Sequence, residues 1–226
     1  MCIMSKIIIL NGSPRKNGSN ARLLRHMEKE LTHLGNVVTY IDIQDLNLNF
    51  CSGCCSCYKT GKCHIEDDAE KLSKEIEGVD GLILASPTYV SNVPGQLKTF
   101  IDRGHFVIEQ LLHDKYAISI VTGENHGSKQ ASQLLSQLLT YAGATLSGKI
   151  IQDLSFNGNP LEDERMTRKL GYLSRKFDKD IKMRKQYIFQ KAFHKLIFSV
   201  GIKPFVLRKG NAYEGVIKRW KQQHII

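Results

Sequence analysis

A doubly wound α/β fold with a five-stranded parallel sheet is predicted by three features of the 226-residue sequence. Short apolar runs alternate with segments of helical periodicity five times in succession, and the first run ends on Asn11-Gly12. The connections that follow several of the runs are rich in Gly, Ser, Asn and Pro. Continuous apolar runs suit strands buried on both faces, and such alternation leads to a parallel sheet whose ligand sits beyond the carboxyl ends of its strands.

The elements follow in order. Lys6 to Leu10 reads as the first strand, and Leu23, Leu24, Met27 and Leu31 recur at helical spacing over Asn20 to Leu34, with Gly35 as a stop. Val37 to Ile43 is the second strand. Asp67-Asp68 opens a helix, since acidic side chains suit the positive end of a helix dipole. Val79 to Ala85 is the third strand, and Ser86 to Pro94 is loop. Pro94 starts a helix carrying Leu97, Phe100, Ile101 and Phe106. Tyr116 to Thr122 is the fourth strand, Ser128 to Ala142 a helix, and Thr145 to Leu154 includes the fifth strand. From Glu162 the pattern is long and helical. Ile188, Phe189, Ala192, Phe193, Leu196, Ile197 and Val200 form an apolar stripe flanked by lysines, and Gly201 and Pro204 are read as its end.

The net charge of +10 is unevenly placed. Residues 1–163 hold 15 Lys/Arg against 18 Asp/Glu, whereas residues 164–226 hold 17 against 4. We therefore divide the chain into a main domain, 1–163, and a basic helical C-terminal extension, 164–226. A slightly acidic main domain argues against nucleic-acid binding. No stretch approaches the roughly 18 apolar residues of a spanning helix, and no signal-peptide core is present, so a cytoplasmic protein is expected. There, structural disulfides are rare and clustered cysteines lean toward metal or redox chemistry.

The loop from Gly12 to Asn20 joins the first strand to the first helix, so its backbone N–H groups and the helix dipole converge on an anion. Ser13, Ser19 and Asn20 add short polar side chains, and Arg15 adds charge. Neither a Walker loop nor GxGxxG is present, which favours a single terminal phosphate over a dinucleotide. The alternative is a polar turn with no ligand.

Three stretches in this order, NGSPRKNGSN, CSGCCSCYKTGKCHIEDD and SPTYVSNVPGQLKTFIDR, resemble the flavodoxin-fold FMN-dependent NAD(P)H reductases, in particular their iron-sulfur flavoprotein branch. The resemblance spans about residues 5–155. It implies FMN, with its phosphate on the loop from Ser13 through Arg15, Asn17 and Ser19 to Asn20, and its ring cradled by the loop after the third strand. Pro87, Thr88, Tyr89, Val90, Ser91 and Asn92 are the candidates there, with Tyr89 stacking on or flanking the ring. Thr122 and Gly123 open a third loop that closes over it, where His126 is a candidate proton donor. The pair Asp102-Arg103 is expected to form a structural or interface ion pair. A homodimer or homotetramer, and NAD(P)H as donor, are further implications.

Five of six cysteines lie between residues 51 and 63. Cys51, Cys54, Cys57 and Cys63 form C-x2-C-x2-C-x5-C, whose first three members share the spacing of bacterial ferredoxin loops, with Gly53 and Gly61 giving the backbone freedom to wrap. The spacing matches the compact motif of iron-sulfur flavoproteins, which bind one [4Fe-4S] cluster. Zinc with help from His64, a redox dithiol (Cys54-Cys55 or Cys51-Cys54) and a metal-free loop remain alternatives. Cys55 is either a spare thiol or a substitute ligand. Three functions follow: an iron-sulfur flavoprotein passing electrons to a partner protein or small acceptor; a cluster-free NAD(P)H reductase of quinones or nitro compounds; or a flavin and thiol redox sensor. The basic stripe packs on the domain, joins subunits or rests on an anionic membrane surface. Tyr213 or Trp220 are candidates to cover a neighbouring subunit's flavin.

Overall fold

The computed structural model describes residues 4–155 and 158–226. Five parallel strands form one sheet: β1 (Lys6–Asn11), β2 (Val37–Asp42), β3 (Gly81–Pro87), β4 (Tyr116–Gly123) and β5 (Thr145–Asp153). Their order is β2-β1-β3-β4-β5, with Ile8 paired to Thr39 on one side and Leu82 on the other. The chain moves outward from β1 in both directions, and this reversal opens a crevice between β1 and β3 at the carboxyl edge.

The strand runs are apolar on both faces because both faces are covered. Helices α1 (Ser19–His33), α2 (Ser56–Thr60), α3 (Asp68–Glu77), α4 (Gly95–Arg103), α5 (Ser128–Tyr141) and α6 (Glu164–Lys182) follow in chain order. Alternate residues divide cleanly between the faces. Ile8, Leu10, Leu82 and Leu84 meet Leu72 and Ile76 of α3, Leu97 and Phe100 of α4, and Leu135 and Leu139 of α5. Ile7, Ile9, Ile83 and Ile118 meet Leu24, Met27 and Leu31 of α1 with Leu170, Leu173 and Phe177 of α6. Thus α6, the first helix of the basic stretch, completes the cover of the sheet beside α1.

Beyond α6 lie α7 (Ile188–Ile197), a π-helical turn over Phe198–Ile202, α8 (Lys203–Lys209) and α9 (Glu214–Gln222). The stripe does not end at Gly201 and Pro204. Pro204 has no N–H to give the preceding turn, and the chain passes it by widening to π spacing, so helical structure continues to Lys209. Phe106, read as helical, lies past the end of α4 and packs edge-on against Phe100, with ring centroids 5.4 Å apart.

Phe198, Val206, Val216 and Trp220 form a third, separate core with Tyr58 and Ile108 at its border. Trp220 is fully buried there, which removes it from any role over a neighbour's flavin. No helix among the described residues is long and apolar enough to cross a membrane.

Candidate functional site

The first loop leaves β1 at Asn11, whose side chain donates to Asp42 Oδ1 (2.7 Å) and accepts from the Ser13 backbone N–H (3.2 Å). Ser13 is buried and its Oγ accepts from the Arg15 N–H (3.1 Å). Gly12 cannot be replaced without displacement: a Cβ there would stand 2.7 Å from the Ala85 carbonyl and overlap Leu97. The loop is therefore pressed onto β3 and α4, with Arg15 and Asn17 outward and Ser19 Oγ donating to the Gly158 carbonyl (2.9 Å). No side chain caps α1, and both polar atoms of the buried Asn20 amide lack a protein partner. Buried polar groups are nearly always satisfied, so an orphaned amide beside an uncapped helix start fits a bound anion.

The second loop extends β3. Thr88 N–H donates to the Thr122 carbonyl (2.7 Å), holding the β3 and β4 ends together. Tyr89 and Asn92 then exchange backbone hydrogen bonds of 2.8 and 2.9 Å across a two-residue turn. Val90 and Ser91 both hold left-handed φ, 48° and 61°. For a β-branched residue this is strained, and Val90 is fully exposed, so nothing it touches in the chain compensates. Pro87 is buried, Thr88 half-buried, and Tyr89, Ser91 and Asn92 exposed.

The third loop meets the second directly. Gly127, at φ 85°, approaches Ser91 so closely that a Cβ would lie 2.5 Å from the Ser91 Cα. Thr122 is buried, and Gly123 sits under Thr88, Ser128 and Asp153, with Ser128 Oγ donating to Asp153 Oδ1 (2.6 Å). His126 is exposed. The loops after β1, β3 and β4 thus line one edge around the β1/β3 crevice. Ser128 and Asp153 escaped sequence reasoning because their link spans two elements.

The cysteine loop lies between β2 and α3. Its neck is closed by Arg103 at the end of α4, which pairs with Asp67, the N-cap of α3; the two side chains are 1% and 0% exposed. The same guanidinium donates to the Asn49 carbonyl (3.0 Å), the Ile65 carbonyl (3.1 Å) and Cys63 Sγ (3.4 Å). The expected Asp102-Arg103 pair does not form: Asp102 faces outward and pairs with Lys98 one turn back. Adjacent helical residues point to different sides, which is why the dipeptide divides.

All five thiols here are free. Cys51, Cys55, Cys57 and Cys63 line a cavity of about 320 Å³ with Tyr58, Arg103 and His105, whereas Cys54 stands outside it with its Sγ 3.2 Å from His64 Nδ1. Backbone hydrogen bonding from Ser56, with help from Ser52, holds the Cys54 thiol below its usual pKa. Cys55 takes a left-handed conformation (φ 58°), as do Gly53 and Gly61. Among the described residues no three His, Cys, Asp or Glu side chains converge closely enough to hold a metal ion as they stand. The donor set is nonetheless that of a thiolate-bound metal group: soft sulfur ligands, a cavity, and N–H donors aimed at sulfur.

Two charged groups here were not foreseen. His105 is buried against Cys57 and Glu109; burial lowers its pKa, but those two partners outweigh it and push it up to about 10. Its Nδ1 lies 2.6 Å from Glu109 Oε1, and Glu109 in turn meets Arg219 of α9 at 3.1 Å. Helix α9 and the turn before it cover the loop directly: Tyr58 stacks on Tyr213 (4.7 Å), and a Cβ on Gly215 would fall 2.9 Å from Gly61 Cα.

Residues 5–152 match the family model described as NADPH-dependent FMN reductase. The chain is 33% identical to an iron-sulfur flavoprotein of Clostridioides difficile over 97% of its own length and 99% of that protein's. A solved flavone reductase superposes with a TM-score of 0.65 at 18% identity, covering 80% of this chain and 65% of that one. A Streptococcus pneumoniae flavodoxin superposes with a TM-score of 0.53 at 12% identity, covering 77% and 97%. At such identities the structures show a shared flavodoxin-like fold.

Proposed function

Because the chain belongs to the NADPH-dependent FMN reductase family, in its iron-sulfur flavoprotein branch, we propose that it passes electrons between a reduced donor, FMN and a [4Fe-4S] cluster. FMN-dependent oxidoreductase chemistry belongs to the family; the cluster, its ligands and the route are our reading. The observation that carries it is the cavity that Cys51, Cys57 and Cys63 line with His105 and with Arg103, whose guanidinium donates to Cys63 Sγ. When bound, FMN takes a hydride as an electron pair and the cluster exchanges electrons singly.

The chain's own residues do the rest. Ser13, Arg15, Asn17, Ser19 and Asn20 hold the phosphate, with the Asn20 amide as the buried donor that lacks a protein partner. Pro87 through Asn92 hold the ring from one side, while Thr122 and Gly123 carry the loop that backs it. Cys51, Cys54, Cys57 and Cys63 are the ligands, Cys54 turning inward to join the others, and Cys55 is spare. Helix α4 starts beside the flavin loop and ends at Arg103, so about 13 Å of helix spans from one centre to the other. Residues 1–163 act as the FMN domain, and 164–226 as an extension whose α6 completes the sheet's cover. Exposed Ile188 and Phe189 on α7 support a homodimer or homotetramer, and five free thiols suit the reducing cytoplasm. NAD(P)H, and a partner protein or small acceptor, are the proposed donor and acceptor.

Anaerobic purification followed by flavin, iron, sulfide and zinc assays tests this. Expected is one FMN with about four iron and four sulfide per chain, lost in Cys63→Ser and kept in Cys55→Ser. Stoichiometric FMN with neither iron nor sulfide would sink the cluster. That outcome selects the cluster-free NAD(P)H reductase of quinones or nitro compounds.

Asn20→Asp keeps the size of the side chain but sets a carboxylate against the phosphate. Titration of flavin-free protein should show FMN binding weakened by about 2 kcal/mol, roughly 30-fold, with riboflavin, which has no phosphate, little changed. Equal loss for both flavins would remove Asn20 from the phosphate site.

A further inference from the structure

A line of buried groups runs from the cysteine cavity into the C-terminal extension. After α4 the chain turns through Gly104 and His105. At Gly104 a Cβ would stand 2.8 Å from the Phe100 carbonyl and 2.5 Å from the Phe106 ring, and His105 itself is left-handed at φ 58°. A strained non-glycine conformation fixed from both sides aims one side chain at one place. That place is the cavity, which the imidazole lines together with Cys57.

The other side of the ring is held from behind. Nδ1 meets Glu109 Oε1 at 2.6 Å, and Glu109 Oε2 meets the Arg219 guanidinium at 3.1 Å; the Glu109 side chain is 2% exposed. Arg219 continues to Glu77 at 2.8 Å, and its neighbour Trp220 donates Nε1 to the carbonyl of Ile108 (3.1 Å), the residue before Glu109. Two consecutive residues of α9 therefore fix two consecutive residues of the segment behind His105. A carboxylate this deep is costly unless paired on both sides, and here one partner faces sulfur while the other belongs to the extension.

We propose that His105 tunes the redox group held at Cys57 through a hydrogen bond to that sulfur, and that Glu109 and Arg219 are positioning residues that hold the imidazole in place. The inference rests on the cluster reading above. With a cluster bound, one electron passed to it from reduced FMN would add negative charge at the ligand thiolates, Cys57 among them, with no bond broken. An N–H donor to the ligand sulfur stabilises the more negative state, so it raises the reduction potential. The basic extension thereby becomes part of the redox centre instead of a mere cover.

The test is an anaerobic redox titration followed by electron paramagnetic resonance on full-length, cluster-loaded protein, with iron and sulfide measured on each sample. His105→Asn removes the reach to Cys57 but tolerates a left-handed φ. Its midpoint should move to more negative potential with an altered cluster signal. Arg219→Met should move it the same way by less, and Arg219→Lys should restore it. Where His105→Asn holds no iron, Arg219→Met, which leaves the loop sequence intact, decides the matter. Wild-type protein without iron overturns the cluster reading and this inference with it. Wild-type and variant proteins equally loaded, with equal midpoints and signals, overturn this inference alone.

Discussion

Replacing Arg103 with methionine is expected to destabilise the protein by about 3–5 kcal/mol and to open the neck of the cysteine loop. The guanidinium is buried, and its four partners, Asp67, the Asn49 and Ile65 carbonyls and Cys63 Sγ, lie on both sides of the loop. Methionine fills much of the volume but leaves the Asp67 carboxylate buried with the Asn49 backbone and side-chain N–H groups and the Ala69 N–H, and no cation. Urea denaturation of metal-free, reduced protein measures the loss, and Asp67→Asn in the same chain should recover part of it by removing the stranded charge. Burial raises the Asp67 pKa, but Arg103 and the backbone donors outweigh it and hold it below its ordinary 3.8. A depressed carboxyl contributes stability above its unfolded pKa, lost as pH falls through the folded value. The wild type should therefore lose stability below about pH 3.8 through this pair, and Arg103→Met should lack that component. A cost under about 1 kcal/mol would mean that the pair behaves like a surface ion pair.

The parts of this architecture that were legible are those set by local pattern. KIIIL and GLILA read as buried strands because residues of both parities are apolar, and the structure sends Ile7 and Ile9 to one core and Ile8 and Leu10 to the other. The glycines, serines and asparagines of the first and third connections announced their loops for the same reason. What stayed hidden was long-range choice of partner. Arg103 was visible, but only the approach of α3 to the end of α4 selects Asp67, 36 positions away, over the adjacent Asp102. His105 went unnoticed inside a helix expected to run as far as Phe106, whereas α4 ends at Arg103 and His105 turns left-handed beside the Phe100 and Phe106 pair. The false stop at Gly201 and Pro204 has a different origin. Residue preferences describe an α-helix interior, and the π turn lies outside that description.

Trp220→Ala should cost about 3–5 kcal/mol, the range for removing a fully buried large aromatic side chain, yet leave FMN affinity unchanged. The ring packs edge-on against Phe198 with centroids 5.0 Å apart and joins Val206 and Val216, a cluster separate from both sheet cores. Stability lost from a satellite core is expressed as local opening of that unit. Amide exchange should therefore quicken over α8 and α9, and over residues 56–61, where Tyr58 loses the stack with Tyr213 and Gly61 loses Gly215. The strands should keep their protection. The same opening removes Arg219 from Glu109, so a cluster-loaded Trp220→Ala protein should also shift in midpoint toward the Arg219→Met value. Quickened exchange spread evenly through β1, β3 and β4 would show instead that the extension and the sheet unfold as one unit. A loss of FMN affinity with the C-terminal helices still protected would return Trp220 to the flavin, against its burial here.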